Sequence, residues 1–171
     1  MVACVMADPG VIIEHPNRRK ATSKFTRAFV VLLLLVSAAL VAIISIGGWD
    51  ALEGAKFLQV AYIVVYVVLA FFVLRWSRGV LPLAAALAIV LLIFAAVSTP
   101  AWFDRDKAGF TDPALDADIL GLLTALLVPV QLLLIAFAMS GFRQAWNVEV
   151  ERYEEPPPDR RERRGPTPAA V

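Results

Sequence analysis

The sequence predicts an all-α membrane protein: four transmembrane helices in an antiparallel bundle, with both termini on the cytoplasmic side and disordered ends. Three observations lead there. First, 60% of the 171 residues are hydrophobic and only 18% are charged. Soluble domains are about 45–50% apolar and about 25% charged. Second, the uncharged residues come in four blocks, Ala28 to Trp49, Phe57 to Leu74, Gly79 to Phe103 and Ile119 to Phe142. Each is long enough for a helix to cross ~30 Å of hydrocarbon. A soluble bundle would show polar residues at helical period on every helix, and barrel strands would be about ten residues long and alternating. Third, the four tryptophans, Trp49, Trp76, Trp102 and Trp146, fall one after the apolar core of each block. Indole rings favour the headgroup level.

Taken in order, residues 1–24 are expected to form a flexible cytoplasmic arm containing Pro9, Gly10 and Pro16. The transmembrane domain spans 25–155, with helices at about 26–48, 51–76, 79–99 and 113–152. The first helix does not resemble a cleaved leader. It follows a long polar arm and ends in SIGGWD instead of a small-residue cleavage site. Helix 2 opens with Asp50 as its expected N-cap and Glu53 three residues later, a capping-box spacing. Helix 4 opens with Asp112 as its expected N-cap and Pro113 at the first helical position. Asp116 and Asp118 follow near the positive end of its dipole. Helix 4 is expected to run beyond the membrane, since no breaker occurs before Pro156 and Glu149 can reach Arg152 at i+3. The Pro/Arg-rich residues 156–171 read as a disordered cytoplasmic tail. There is no internal repeat and no soluble domain.

Basic residues set the expected orientation. Thirteen of the 16 lysines and arginines precede helix 1, lie between helices 2 and 3, or follow helix 4. Only Lys56, Arg105 and Lys107 fall on the opposite side, beside seven acids. The positive-inside rule then puts both termini in the cytoplasm. The Ala/Val/Leu/Arg/Pro bias suggests a bacterial source, hence the inner (plasma) membrane.

Candidate chemistry is sparse. Counted from Asp104, the acid-rich loop matches the EF-hand calcium pattern at Asp104, Asp106, Gly109 and Asp112. It fails at Ala108 and at Leu115, where the bidentate glutamate belongs. Helix capping and solvation beside Arg105 and Lys107 explain these aspartates more simply, so no metal site is assigned. The four apolar cores contain no Asp, Glu, Lys, Arg or His, which counts against proton- or ion-coupled transport. Gln59, Tyr62 and Tyr66 share one face of helix 2, and Thr124 and Gln131 lie in helix 4, the latter two residues after Pro129. These groups are either a polar pocket between helices 2 and 4 or interhelical hydrogen-bond glue, the simpler reading.

Small-xxx-small pairs (Ala38/Ala42, Ala84/Ala88, Gly121/Ala125 and Ala136/Ser140) favour close helix packing. The basic runs at 17–20 and 159–165 read as topology determinants facing anionic lipid. His15 has only Glu14 beside it, Cys4 is the single thiol, and no nucleophile, zinc, phosphate-loop or dinucleotide motif is present. No catalytic residue or cofactor is assigned. The expectation is a non-enzymatic, multi-pass accessory or interaction subunit with a membrane-protein partner or self-association, and no nucleic acid. The alternative is a small oligomeric transporter or channel. The orientation is directly testable, because Cys4 is the only thiol. In intact cells a membrane-impermeant maleimide should leave Cys4 unlabelled and should label Asp106→Cys in a Cys4→Ser background. The reverse pattern would invert the topology.

Overall fold

The computed structural model describes residues 11–14, 20–52, 54–105, 113–146 and 148–153. Four helices dominate: α1 (Ala21–Gly47), α2 (Lys56–Leu74), α3 (Val80–Phe103) and α4 (Ala117–Arg143). Each is long and apolar enough to cross a membrane. A short 3₁₀ turn, Trp49–Ala51, joins α1 to α2. Two strands, β1 (Val11–Glu14) and β2 (Val150–Tyr153), pair antiparallel with Val11 opposite Tyr153 and Glu14 opposite Val150. The arm expected to be flexible over 1–24 contains β1 and the first turn of α1. Residues 1–10 and 15–19, the loop at 106–112 and the tail from 154 lie outside the described residues. So do Asp106, Gly109 and Asp112 of the candidate calcium loop.

The helices run up and down, and their ends meet in two layers. At the end nearest β1 and β2, Gln144 Nε2 donates to Thr26 Oγ1 at 2.9 Å, and Arg78 Nε donates to the Phe142 carbonyl at 2.7 Å. At the other end the Leu115 amide donates to the Gly47 carbonyl at 3.0 Å, and Arg105 Nη2 donates to the Ala51 carbonyl at 3.2 Å. Within the bundle α3 packs most closely on α4, and α1 packs on both α2 and α4. Of the helix pairs adjacent in the bundle, α2 and α3 touch least. The bundle is therefore a ring in the order α2, α1, α4, α3, slack along the α2–α3 seam.

Small residues make the close approaches. Ala38, Ala84, Ala88 and Gly121 are buried, as their spacing predicts, whereas Ala136 and Ser140 face outward. A β-carbon on Gly121 would lie 2.9 Å from the Phe103 ring, one on Gly48 would lie 2.6 Å from the Trp102 ring, and one on Gly47 would lie 2.3 Å from Leu115. The Gly47–Gly48 pair thus lets the α3 terminus and the α4 entry seat against the end of α1.

Four sequence expectations change. α4 begins at Ala117, capped by Asp116, whose carboxylate accepts from the Asp118 amide at 2.9 Å. The expected cap, Asp112, is outside the described residues; the Leu115 amide, whose hydrogen bond a cap at that position would accept, donates instead to the Gly47 carbonyl. α2 begins at Lys56 without a side-chain cap, because Asp50 is held in the 3₁₀ turn. α3 runs through Pro100 to Phe103, past its expected end at 99. α4 stops at Arg143 instead of continuing to 152, and Val150–Tyr153 is a strand.

The stop after α4 has a cause. Ala145 takes a left-handed backbone (φ 48°), which folds Trp146 back until it is fully buried. The Trp146 ring meets Trp76 edge-on at 5.4 Å. Trp76 also has a left-handed backbone (φ 63°) and ends α2. The Trp76 amide donates to Val73 and the Ser77 amide to Phe72, the two bonds of a Schellman cap. Glycine usually fills that position; a left-handed side-chain residue costs about 1–2 kcal/mol. Here the ring gains a cation in exchange, with the Arg27 guanidinium 4.1 Å above it. Lys56 stacks on Trp49 at 5.0 Å, and Arg105 on Trp102 at 4.7 Å.

Gly48→Val should destabilise the bundle by about 1–3 kcal/mol, the usual cost of overpacking. Gly79→Ala, where a β-carbon meets open space, should leave stability unchanged. Thermal melts by circular dichroism in detergent read both.

Candidate functional site

Charge is absent from the helix cores, so any site inside the bundle is built from neutral polar groups. The structure sorts these into two layers. The deeper layer is a closed chain of hydrogen bonds. Tyr66 Oη donates to Gln131 Oε1 at 3.0 Å, Gln131 Nε2 donates to Ser37 Oγ at 2.9 Å, and Ser37 Oγ donates to the Leu33 carbonyl at 2.7 Å. Tyr66, Gln131 and Ser37 are all fully buried. This chain ties α2, α4 and α1 together. Tyr66 and Gln131 meet as the sequence suggested, and they act as glue.

The second layer lies nearer the Trp49–Trp102 end. Ser45 Oγ donates to the Val41 carbonyl at 2.6 Å and also meets Gln59 Oε1, so one hydroxyl hydrogen is shared between them. Thr124 Oγ1 donates to the Leu120 carbonyl at 2.7 Å, and Ser98 Oγ to the Phe94 carbonyl at 2.7 Å. These hydroxyls close on their own helices, as serine and threonine do in apolar helices. Tyr62 differs. It is 8% exposed, packs edge-on against Tyr66 at 5.7 Å, and makes no hydrogen bond among the described residues.

Gln59, Tyr62, Ser98 and Thr124 line one cavity of about 220 Å³. Its remaining walls are apolar and come from every helix: Val41 and Ile44 of α1, Leu58 of α2, Leu91, Phe94 and Trp102 of α3, and Leu127 of α4. Its few polar groups make water a poor filler, since a stable buried water needs two to four partners.

Sequence reasoning thus found half of this geometry. It placed Gln59, Tyr62 and Tyr66 on one face, but the face divides: Tyr66 seals the core, while Gln59 and Tyr62 border the cavity. It missed Ser37 and Ser45, the α1 partners of Gln131 and Gln59. Their signal was present, as the only hydroxyls inside an otherwise aliphatic run. Of the candidate calcium residues, Asp104 is exposed at the C-cap of α3. Among the described residues no group of three or more metal-ligating side chains comes together. No family model matches the chain, and neither a curated protein nor a solved structure is detectably similar to it.

The closed chain makes a quantitative forecast. Gln131→Leu should destabilise by about 1–2 kcal/mol, because it leaves Tyr66 Oη buried without a partner. Adding Tyr66→Phe should recover part of that loss. Additive losses in the double-mutant cycle, read by thermal melts, would show that the two side chains do not interact.

Proposed function

We propose that this chain is a multi-pass protein of the bacterial inner membrane, with both termini cytoplasmic, that works by binding as an accessory or interaction subunit and carries no catalysis. The supporting observation is the way its polar groups are used. Every described hydroxyl and amide at the centre of the bundle except Tyr62 bonds to a neighbouring helix or its own. The arrangement favours a rigid bundle over a polar route through it.

The outer faces of α2 and α3 give the partner a surface. Phe71, Phe72, Val97 and Ile93 are all well exposed on them. Lipid suits these side chains, and so does another transmembrane helix. The bases Arg75, Arg78 and Arg143 gather where α2 ends, α3 begins and α4 ends, the side where the charge rule puts the cytoplasm. The alternative, a small oligomeric transporter or channel with a polar site between helices 2 and 4, draws less support. Tyr66 and Gln131, which it would use, are already bonded to each other.

A photo-crosslinking residue in place of Phe71 tests the reading in native membranes. The expected outcome is one discrete protein adduct, to a partner or to a second copy. If the chain runs as a lone monomer and yields lipid adducts alone, the accessory reading fails. For the alternative, flux in reconstituted vesicles that Gln131→Leu abolishes would reinstate the transporter.

A further inference from the structure

The cavity in the outer half of the bundle has a mouth, a lining and, among the described residues, polar donors without a partner. Leu58 of α2 (43% exposed) and Phe94 of α3 (50% exposed) line it and also face outward, so the mouth lies between these two helices. That is the seam along which the helices touch least. The opening is therefore lateral, toward the acyl chains of a surrounding bilayer. Ser98 and Thr124 spend their hydroxyl hydrogens within the protein, and Gln59 Oε1 accepts from Ser45, which leaves the Gln59 Nε2 hydrogens on the wall. Tyr62, nine-tenths buried on the cavity wall, is the group left with a hydroxyl to donate.

We infer that this cavity binds a neutral, lipid-soluble molecule bearing a carbonyl, which enters between α2 and α3 and accepts a hydrogen bond from Tyr62. Three properties select that chemistry. Among the described residues the lining carries no charge, which favours a neutral molecule over an ionic headgroup that would need a buried counter-charge. The donors left on the wall, Tyr62 Oη and Gln59 Nε2, ask for an acceptor, and a carbonyl is the acceptor that lipids carry at this depth: Tyr62 stands six residues, ~9 Å, into α2. The volume fits part of a larger molecule. A dry engineered cavity of ~150 Å³ takes benzene, so about 220 Å³ takes a ring with its first substituents or a short length of chain. The rest trails through the mouth into the bilayer.

Two sources share this chemistry, the acyl ester of a glycerolipid and the ring carbonyl of an isoprenoid quinone. The site stands apart from the accessory reading, which survives if the cavity proves empty.

The full chain reconstituted in phosphatidylcholine nanodiscs tests the proposal. Trp102 lines the cavity and reports on it by fluorescence. One arm titrates a short-chain ubiquinone; the other replaces the phospholipid with its chain-brominated form. Both are read in the wild-type chain, in Tyr62→Phe, and in Ala95→Phe, which puts a ring into the cavity wall. Saturable quenching is expected in one arm. Loss of one hydrogen bond in Tyr62→Phe should weaken it about 3- to 10-fold, and Ala95→Phe should abolish it while leaving the helical melt intact. Saturation with ubiquinone assigns the quinone, and saturation with the brominated lipid assigns the ester. Ala95→Leu serves if Ala95→Phe fails to fold. Quenching that rises linearly in both arms and is equal in all variants would overturn the site. So would a cavity variant that loses a protein crosslink and leaves quenching untouched.

Discussion

Gln131 is the residue on which the bundle turns. A primary amide has two donors and an acceptor with two lone pairs, and in an apolar interior each of these is expensive to leave unmet. At zero exposure, Gln131 accepts from Tyr66 of α2 and donates to Ser37 of α1. Aliphatic contacts alone would let α4 rotate or slide against its neighbours, because leucine meets leucine or lipid with similar energy. The amide permits one rotation and one depth. It joins three helices and leaves out α3, which is held instead by close packing on α4, through Phe103 against Gly121.

That division of labour accounts for the slack seam. α2 belongs to the hydrogen-bonded set and α3 to the close-packed set, and the connection between them is five residues long, Arg75 to Gly79. The two helices are tied at the Trp76 end by that short connection and touch little elsewhere. The cavity sits in the opposite half of the bundle, near Trp102, on that slack seam. A polar lock in the middle and a clamp of indole and guanidinium at one end thus make an opening at the other.

The spans were legible in the sequence because hydropathy over some twenty residues leaves little ambiguity. Helix ends were less so. Asp50 and Asp112 have the side chains of good caps, yet a cap is decided by what else claims the local backbone. The 3₁₀ turn claims Asp50, and the Leu115 amide that a cap at Asp112 would take goes to Gly47, while Asp116 caps α4. The end of α4 was misread because the chain from Gln144 to Tyr153 carries good helix formers, while Trp146 gains more by burial against Trp76 than the helix gains by continuing. A period-two pattern was visible there: Val148 and Val150 alternate with Glu149 and Glu151. The polar site was half legible, since spacing on α2 groups Gln59, Tyr62 and Tyr66 but is silent about which of them α1 will satisfy. The cavity was not legible at all. It arises from how four helices fail to fill a space, and no single helix encodes that.

The ribbon of β1 and β2 joins the segment before the first helix to the segment after the last, nearly 140 residues apart. During synthesis β1 leaves the ribosome first and has no partner until all four helices have been made. Two short strands are too weak to hold themselves together, so the ribbon forms only where α1 and α4 already bring its halves side by side. Its pairing is therefore among the last steps of assembly. A chain that stalls after three helices keeps an unpaired edge at its N-terminal end, which distinguishes an unfinished bundle from a complete one.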